Sequence, residues 1–317
     1  MATIKRASLA RLAVVALLWG SSFLWIKLAL RGFSPGQVVL VRLGLGALFL
    51  LALCWVRGLG PPRSSRLWAK IAVAAVFANF VPYLLYGIAE QQVDSSLAGV
   101  LNASTPLWTM AIALGVRQET SVGAGRGTGL VLGFAGTLLC FSPWEAGGAL
   151  GGALLCLAPA ACYGIGYVYT RRFLTGSGVE PVAMVAAQLL VATGLAALTI
   201  PVTGSSPVSV RADAFLAMAV LGMLCTGVAY LFNFRLTVED GSTVASTVTY
   251  LLPIVSVLLG MAFLAEPFRW NAIAGMAVAL AGVALVQRSP GPTTQPQRRP
   301  EPASSRSGPG NEKDIHE

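Results

Sequence analysis

Polar side chains recur at helical spacing inside otherwise apolar runs, and they are of the types that hold a small solute by hydrogen bonds. Asn79, Tyr83, Tyr86 and Glu90 stand at i, i+4, i+7 and i+11, one face of a helix, and Thr226, Tyr230, Asn233 and Thr237 repeat that spacing further along. Asn102, Thr105 and Thr109 share a face, as do Ser246, Thr249, Pro253 and Ser256. Amides, hydroxyls and phenols of this kind bind amines, hydroxyls or carboxylates without reacting with them. A polar group in hydrocarbon must face protein or water. Two readings therefore stand side by side: these stripes line a cavity, or they hydrogen-bond neighbouring helices and hold a bundle together. On the cavity reading the candidate binding residues are Trp19, Ser22, Asn79, Tyr83, Tyr86, Asn102, Thr105, Tyr163, Tyr167, Tyr230, Asn233, Thr249 and Tyr250.

Candidate gate or hinge residues are Arg42, Glu90, Pro106 and Pro253. Each proline, inside a helix, removes a backbone donor and crowds the carbonyl four residues back, which would free the carbonyls of Asn102 and Thr249. That is either a packing kink or a hinge whose carbonyls meet a bound ammonium or hydroxyl. Arg42 lies about two turns into its helix, and an Arg42–Glu90 pair is expected to close one mouth of the bundle. Lys27, nearer a helix end, is expected to snorkel. The middle third of every apolar run lacks Asp and Glu. That argues against proton relay through a midplane acid and for facilitated export or exchange through a neutral, partly aromatic cavity. The one histidine is His316, and the five cysteines, Cys54, Cys140, Cys156, Cys162 and Cys225, show no CxxC pair. No catalytic residue, metal site or cofactor is expected from such a set.

The elements that must position these residues follow from composition. Of 317 residues 55% are apolar and 11% charged, and the apolar ones come in long runs. Crossing a hydrocarbon layer of about 30 Å takes roughly 20 helical residues. The runs are 10–29, 36–56, 67–89, 97–115, 126–142, 150–170, 181–200, 213–235, 243–264 and 271–287. The expectation is an all-α integral membrane protein of ten transmembrane helices. A β-barrel would show alternating segments of about ten residues, which these are not. The first run carries Trp19, Trp25 and Lys27 and lacks a clean cleavage site, so it reads as a helix and not a signal sequence.

Lys and Arg set the orientation. With a cytoplasmic N-terminus, only Arg31, Arg211 and Arg269 fall on the outer side, and the net charge of +9 is mostly positive-inside bias. The charges are spread over loops, which speaks against a nucleic-acid partner. Residues 288–317 turn rich in Pro, Ser, Gly, Gln and charge, and are expected to form a disordered cytoplasmic tail.

The chain also repeats itself. SSLAG at 95–99, Pro106 and Glu119 are matched 147 residues later by STVAS at 242–246, Pro253 and Glu266, with Tyr86 and Tyr230 preceding them. Lys27 matches Arg171, Arg42 matches Gln188, and GLVLGFAG at 129–136 matches GMAVALAG at 275–282. Two halves, 1–145 and 146–287, of five helices each are implied. An odd number of spans inverts the second half against the first, an organisation used by transporters with a site between the halves near the midplane.

With WGSSFLWIK at 19–27, Arg42, the small-residue runs leading into Pro106 and Pro253, Glu119, Glu266 and the glycine-spaced fifth and tenth runs, the chain resembles the EamA family of the drug/metabolite transporter superfamily. The resemblance covers residues 10 to 287. It implies ten helices with both ends cytoplasmic, helices one, three, four, six, eight and nine around a central cavity, and five and ten at the periphery. In the second half only Tyr163–Gly164 echoes the aromatic–glycine pair Trp19–Gly20.

The resulting expectation is a cell-membrane transporter exporting small metabolites, amino acids or related compounds, by alternating access. A multidrug exporter is the alternative, solute uptake a weaker one, and a membrane-embedded enzyme or structural protein belongs to a different class. Partners are a small-molecule substrate and the lipid bilayer. Gly129, Gly133, Gly136, Gly275 and Gly282 read as close helix packing, with a homodimer contact left open.

Overall fold

The computed structural model describes residues 6–117, 124–141, 150–204, 206–239, 248–267 and 269–288. Glu119, Ser246 and the tail 289–317 lie outside these residues, as do the side chains of Thr237, Thr249 and Tyr250. Among the described residues there are helices and no strands.

The helices fall on the apolar runs read from the sequence. In chain order they are α1 Arg6–Ala29, α2 Pro35–Val56, α3 Ser65–Ala89 and α4 Ser95–Gly115, then α5 Ala124–Phe141, α6 Leu150–Phe173 and α7 Pro181–Thr203. The last three are α8, α9 and α10. α8 is built of Ala212–Ala219, Val220–Val228 and Ala229–Glu239, α9 is Val248–Leu264 and α10 is Trp270–Arg288. Six of them, α1 to α4, α7 and α8, are long and apolar enough to cross a membrane, and α5, α9 and α10 contain shorter apolar stretches. This is a multi-pass membrane protein.

Local chemistry sets the boundaries. Ser34 accepts from the N–H of Gln37 at 3.3 Å while the Gln37 side chain accepts from the N–H of Ser34 at 2.9 Å, a reciprocal cap that starts α2 ahead of Pro35. Glu180 caps α7 by accepting from Val182 N–H at 2.7 Å, again before a proline. α3 and α8 each contain a π stretch, Val76–Phe80 and Val220–Val228. Such widened turns shift the helical phase and often mark functional segments.

Packing follows glycine. A Cβ on Gly136 would lie 2.6 Å from the carbonyl oxygen of Gly275, and one on Gly282 would lie 2.6 Å from that of Gly129, so α5 and α10 meet backbone to backbone. This seam is spent within one chain. α2 packs on α7, α1 on α8 and α9, and α6 on α3 and α4. Gly20 of α1 abuts Val255 of α9, and Gly164 of α6 abuts Trp108 and Thr109 of α4.

One end of the bundle is tied by its loops. Ser209 N–H donates to the carbonyl of Gly32 at 2.9 Å, Arg31 and Arg211 pair with Asp213 at 3.5 and 3.1 Å, and Arg269 pairs with Asp94 at 3.5 Å. Glu90 stands at this end, where it caps α3.

Candidate functional site

The two polar stripes meet inside the bundle, but the stripe on α3 does not act as a single face. Asn79 Nδ2 donates to the hydroxyl of Tyr230 at 3.2 Å, and Tyr83 lies close to the same tyrosine. One turn on, the hydroxyl of Tyr86 donates to Asn102 Oδ1 at 2.8 Å, so this tyrosine serves α4 and not α8. The π stretch of α3 holds Asn79 and ends before Tyr83 and Tyr86.

Aromatic rings surround this polar core. Trp19 meets Tyr230 edge-on at 5.8 Å, Phe23 meets Tyr86 edge-on at 5.4 Å, and Tyr163 lies 6.4 Å from Tyr86. Tyr83, Tyr163, Tyr167 and Tyr230 lie within electrostatic reach of one another. Tyr83, Tyr86 and Asn79 are buried, yet Tyr167 is 59% exposed in this company. Asn233 follows Tyr230 on α8 and is half-buried. Ser22 is buried and spends its hydroxyl within α1, on the carbonyl of Leu18 at 3.1 Å. Thr249 and Tyr250 lie on α9 with side chains outside the described set.

Three expectations are corrected. Arg42 does not pair with Glu90. Its Nε donates to Thr226 Oγ1 at 3.1 Å and its guanidinium lies 4.0 Å from the centroid of the Tyr83 ring, because α2 turns this residue toward α8 and α3. A planar cation over a ring face is held by the ring quadrupole, a contribution of about 0.5–2 kcal/mol that grows with desolvation. The link Tyr83–Arg42–Thr226 thus joins α3, α2 and α8.

Secondly, Pro106 does not sit inside a continuous helix. α4 breaks at Ala103 and Ser104 and restarts at Thr105, so Pro106 occupies a first-turn position where its missing N–H costs nothing. The carbonyl of Asn102 is taken by the hydroxyl of Thr105 at 2.7 Å and is not free for a ligand. Pro253 does lie within α9, and its own carbonyl accepts from Ser256 Oγ at 3.0 Å.

Thirdly, Lys27 does not snorkel. Its Nζ donates to the carbonyls of Glu90 and Val93 at 2.5 and 2.6 Å, so α1 clamps the end of α3. Glu266 makes a second clasp at the same end. Its carboxylate accepts from the N–H and hydroxyl of Ser95 at 2.7 and 2.8 Å, from Ser96 N–H at 3.0 Å and from the Ser96 hydroxyl. An anion at the N-terminus of α4 also meets the positive end of the helix dipole. The repeat pairing of SSLAG with STVAS signalled the serines, but nothing in their spacing signalled that Glu266 reaches them.

The arrangement offers hydrogen-bond donors and acceptors and ring faces, with closure at one end. Among the described residues no cluster of His, Cys, Asp and Glu has metal-binding geometry. A model of the EamA-like transporter family matches residues 8–142 and again 150–288. The chain belongs to that family. It is similar to the uncharacterized transporter YvbV of Bacillus subtilis, at 26% identity over 87% of this chain and 90% of that protein. It is also similar to the WAT1-related protein At3g02690, chloroplastic, of Arabidopsis thaliana, at 28% identity over 84% of this chain and 66% of that protein. The uncharacterized inner membrane transporter YedA of Escherichia coli is 26% identical over 77% of this chain. A solved crystal structure superposes with a TM-score of 0.64 at 20% identity, covering 90% of this chain and 99% of that one, which shows a shared fold.

Proposed function

We propose that this EamA-family chain exports small metabolites, amino acids or related compounds, by alternating access through a central cavity between two inverted five-helix halves, 1–145 and 146–287. On this reading α1 to α10 all cross the membrane and both termini are cytoplasmic. The twofold match of the family model and the paired contacts support the inverted halves. α1 packs on α9 as α6 packs on α4, and α1 on α8 as α6 on α3. The orientation is supported by Arg31, Arg211 and Arg269, the three basic residues of the outer loops, all engaged in ion pairs at one end.

The observation that carries the proposal is the contrast between the two ends. At the Glu90 end Lys27 clamps α3 and Glu266 caps α4. Deeper along α6, Tyr167 presents an open ring face beside buried tyrosines. A bundle closed outside and open inside is one state of a rocking transporter. The ring faces and phenols suit zwitterionic or weakly polar solutes. The same ring faces favour organic cations as a second reading, that of a drug exporter.

Flux through purified protein in liposomes tests the proposal, with a panel of labelled amino acids, amines and cationic dyes inside the vesicles. Saturable efflux of an amino acid supports the first reading, and efflux of dyes alone supports the second. No movement of any panel member would sink both.

A further inference from the structure

At the Glu90 end a cavity of about 410 Å³ is lined by Lys27, Arg31, Glu90, Gln91, Asp94 and Glu266, among others. Most of these charges have partners. Arg31 pairs with Asp213, Asp94 with Arg269, Glu266 takes the donors of Ser95 and Ser96, and Lys27 is held by two carbonyls. Glu90 differs from all of them. It is fully buried, and neither carboxyl oxygen has a hydrogen-bond partner.

An ionised carboxylate removed from water and given no donor is costly by several kcal/mol, and such a group ordinarily sheds the cost by taking a proton. The charged and titratable groups around it are Lys27 from α1, Arg42 from α2, Tyr86 on α3 itself, Cys156 from α6 and Glu266 beyond α9. Lys27 and Arg42 favour the anion, but both point their donors elsewhere, Lys27 at main-chain carbonyls and Arg42 at Thr226. Burial pushes the Glu90 carboxyl well above the ordinary carboxylate range, with Lys27 and Arg42 opposing and Glu266 reinforcing.

We propose that Glu90 is a proton-binding site of the transport cycle, protonated while sealed beneath this vestibule and exchanging its proton with outside water when the Lys27 clamp and the Glu266 cap release. The proton is taken from vestibule water while that end is open and given up to water on the cytoplasmic side in the opposite state, so that one proton crosses per cycle and no other reactant takes part. The acid that the sequence put at a helix end, out of reach of the midplane, thereby becomes the coupling group. This inference rests on the transporter reading and adds the coupling ion to it.

Infrared difference spectra of the full chain in lipid nanodiscs, taken across a pH titration of wild type and Glu90→Gln, test the site without any substrate. The expected result is a protonated-carboxyl C=O band that persists at neutral pH in wild type and is absent in Glu90→Gln. Lys27→Gln is expected to accelerate hydrogen–deuterium exchange of that band. An unchanged band in Glu90→Gln, or titration near the ordinary value of ~4.3, would overturn the proposal. In liposomes, a pH gradient is expected to drive wild type to accumulate the transported panel solute, while Glu90→Gln only equilibrates it. Wild-type flux indifferent to the gradient overturns proton coupling alone, whereas absence of wild-type flux sinks the transporter reading itself.

Discussion

Phe23 and Tyr167 each stand three residues after the glycine of an aromatic–glycine pair, Trp19–Gly20 and Tyr163–Gly164, yet Phe23 is 5% exposed and Tyr167 is 59% exposed. Phe23 packs edge-on against Tyr86 near the clamped end, and Tyr167 lies within electrostatic reach of Tyr83 and Tyr230. On the alternating-access reading proposed above, two like positions with opposite exposure belong to one state of the cycle. The opposite state would bury Tyr167 and open Phe23.

Replacing Arg42 tests the link between α2, α3 and α8. Arg42→Lys keeps the charge but loses the planar group stacked on Tyr83, and a lysine stem reaches Thr226 with a different geometry. The maximal transport rate is expected to fall at least about tenfold, equivalent to roughly 1.4 kcal/mol, with expression little changed. Unaltered flux in Arg42→Lys would mean that the stacked geometry has no part in the cycle.

Glu266→Gln removes the charge from a carboxylate that takes four donors from Ser95 and Ser96. Hydrogen bonds to an ionised group contribute about 1.5–3 kcal/mol, so the closed end is expected to loosen by about 2 kcal/mol. Accessibility of a Cys substituted at Ser95 to an impermeant thiol reagent measures it, and the labelling rate is expected to rise. No rise would show that the clasp is not what closes this end.

A side chain on the glycine seam has a different signature. Gly136→Val pushes a branched Cβ into the backbone of Gly275 and Ala279, so α5 and α10 must separate. Thermal unfolding in detergent is expected to show a loss of about 1–3 kcal/mol. The half-saturating solute concentration of the protein that remains folded is expected to stay at the wild-type value, because α5 and α10 contribute none of the rings or phenols described above.

Much of this was legible beforehand, and for physical reasons. Uninterrupted apolar runs can only be helices in lipid, and the helical period brought Asn79, Tyr83, Tyr86 and Tyr230 to attention. What the period cannot give is the rotation of one helix against another. Arg42 could face any neighbour of α2, and only the packing of α2 on α7 and α8 turns it to Thr226. The π stretch in α3 and the break at Ala103 and Ser104 in α4 are small departures from regular geometry with no strong residue signal. The break in α4 sets the turn in which the Thr105 hydroxyl takes the Asn102 carbonyl. Lys27 and Glu90 lie 63 residues apart, and no pattern announced their contact.

The buried carboxyl gives stability a pH dependence with a definite sign. Burial raises the folded-state value of the Glu90 carboxyl well above its unfolded one, so the folded state holds this proton to a higher pH than the unfolded state does. Stability from this group is fully present below the unfolded value of ~4.3 and is lost as pH rises through the folded value. The thermal midpoint of wild type is expected to decline with rising pH over that window, and the decline is expected to be smaller in Glu90→Gln. Parallel profiles for the two proteins would contradict the assignment.

The central claim, an aqueous cavity between the halves, is tested most directly at Tyr167. In a background with the native cysteines replaced by serine, Tyr167→Cys is exposed to a membrane-impermeant thiol reagent from the cytoplasmic side. The account predicts rapid labelling that the transported solute slows. Labelling only by a lipid-soluble reagent, unaffected by any solute, would place this residue against the bilayer and contradict the cavity.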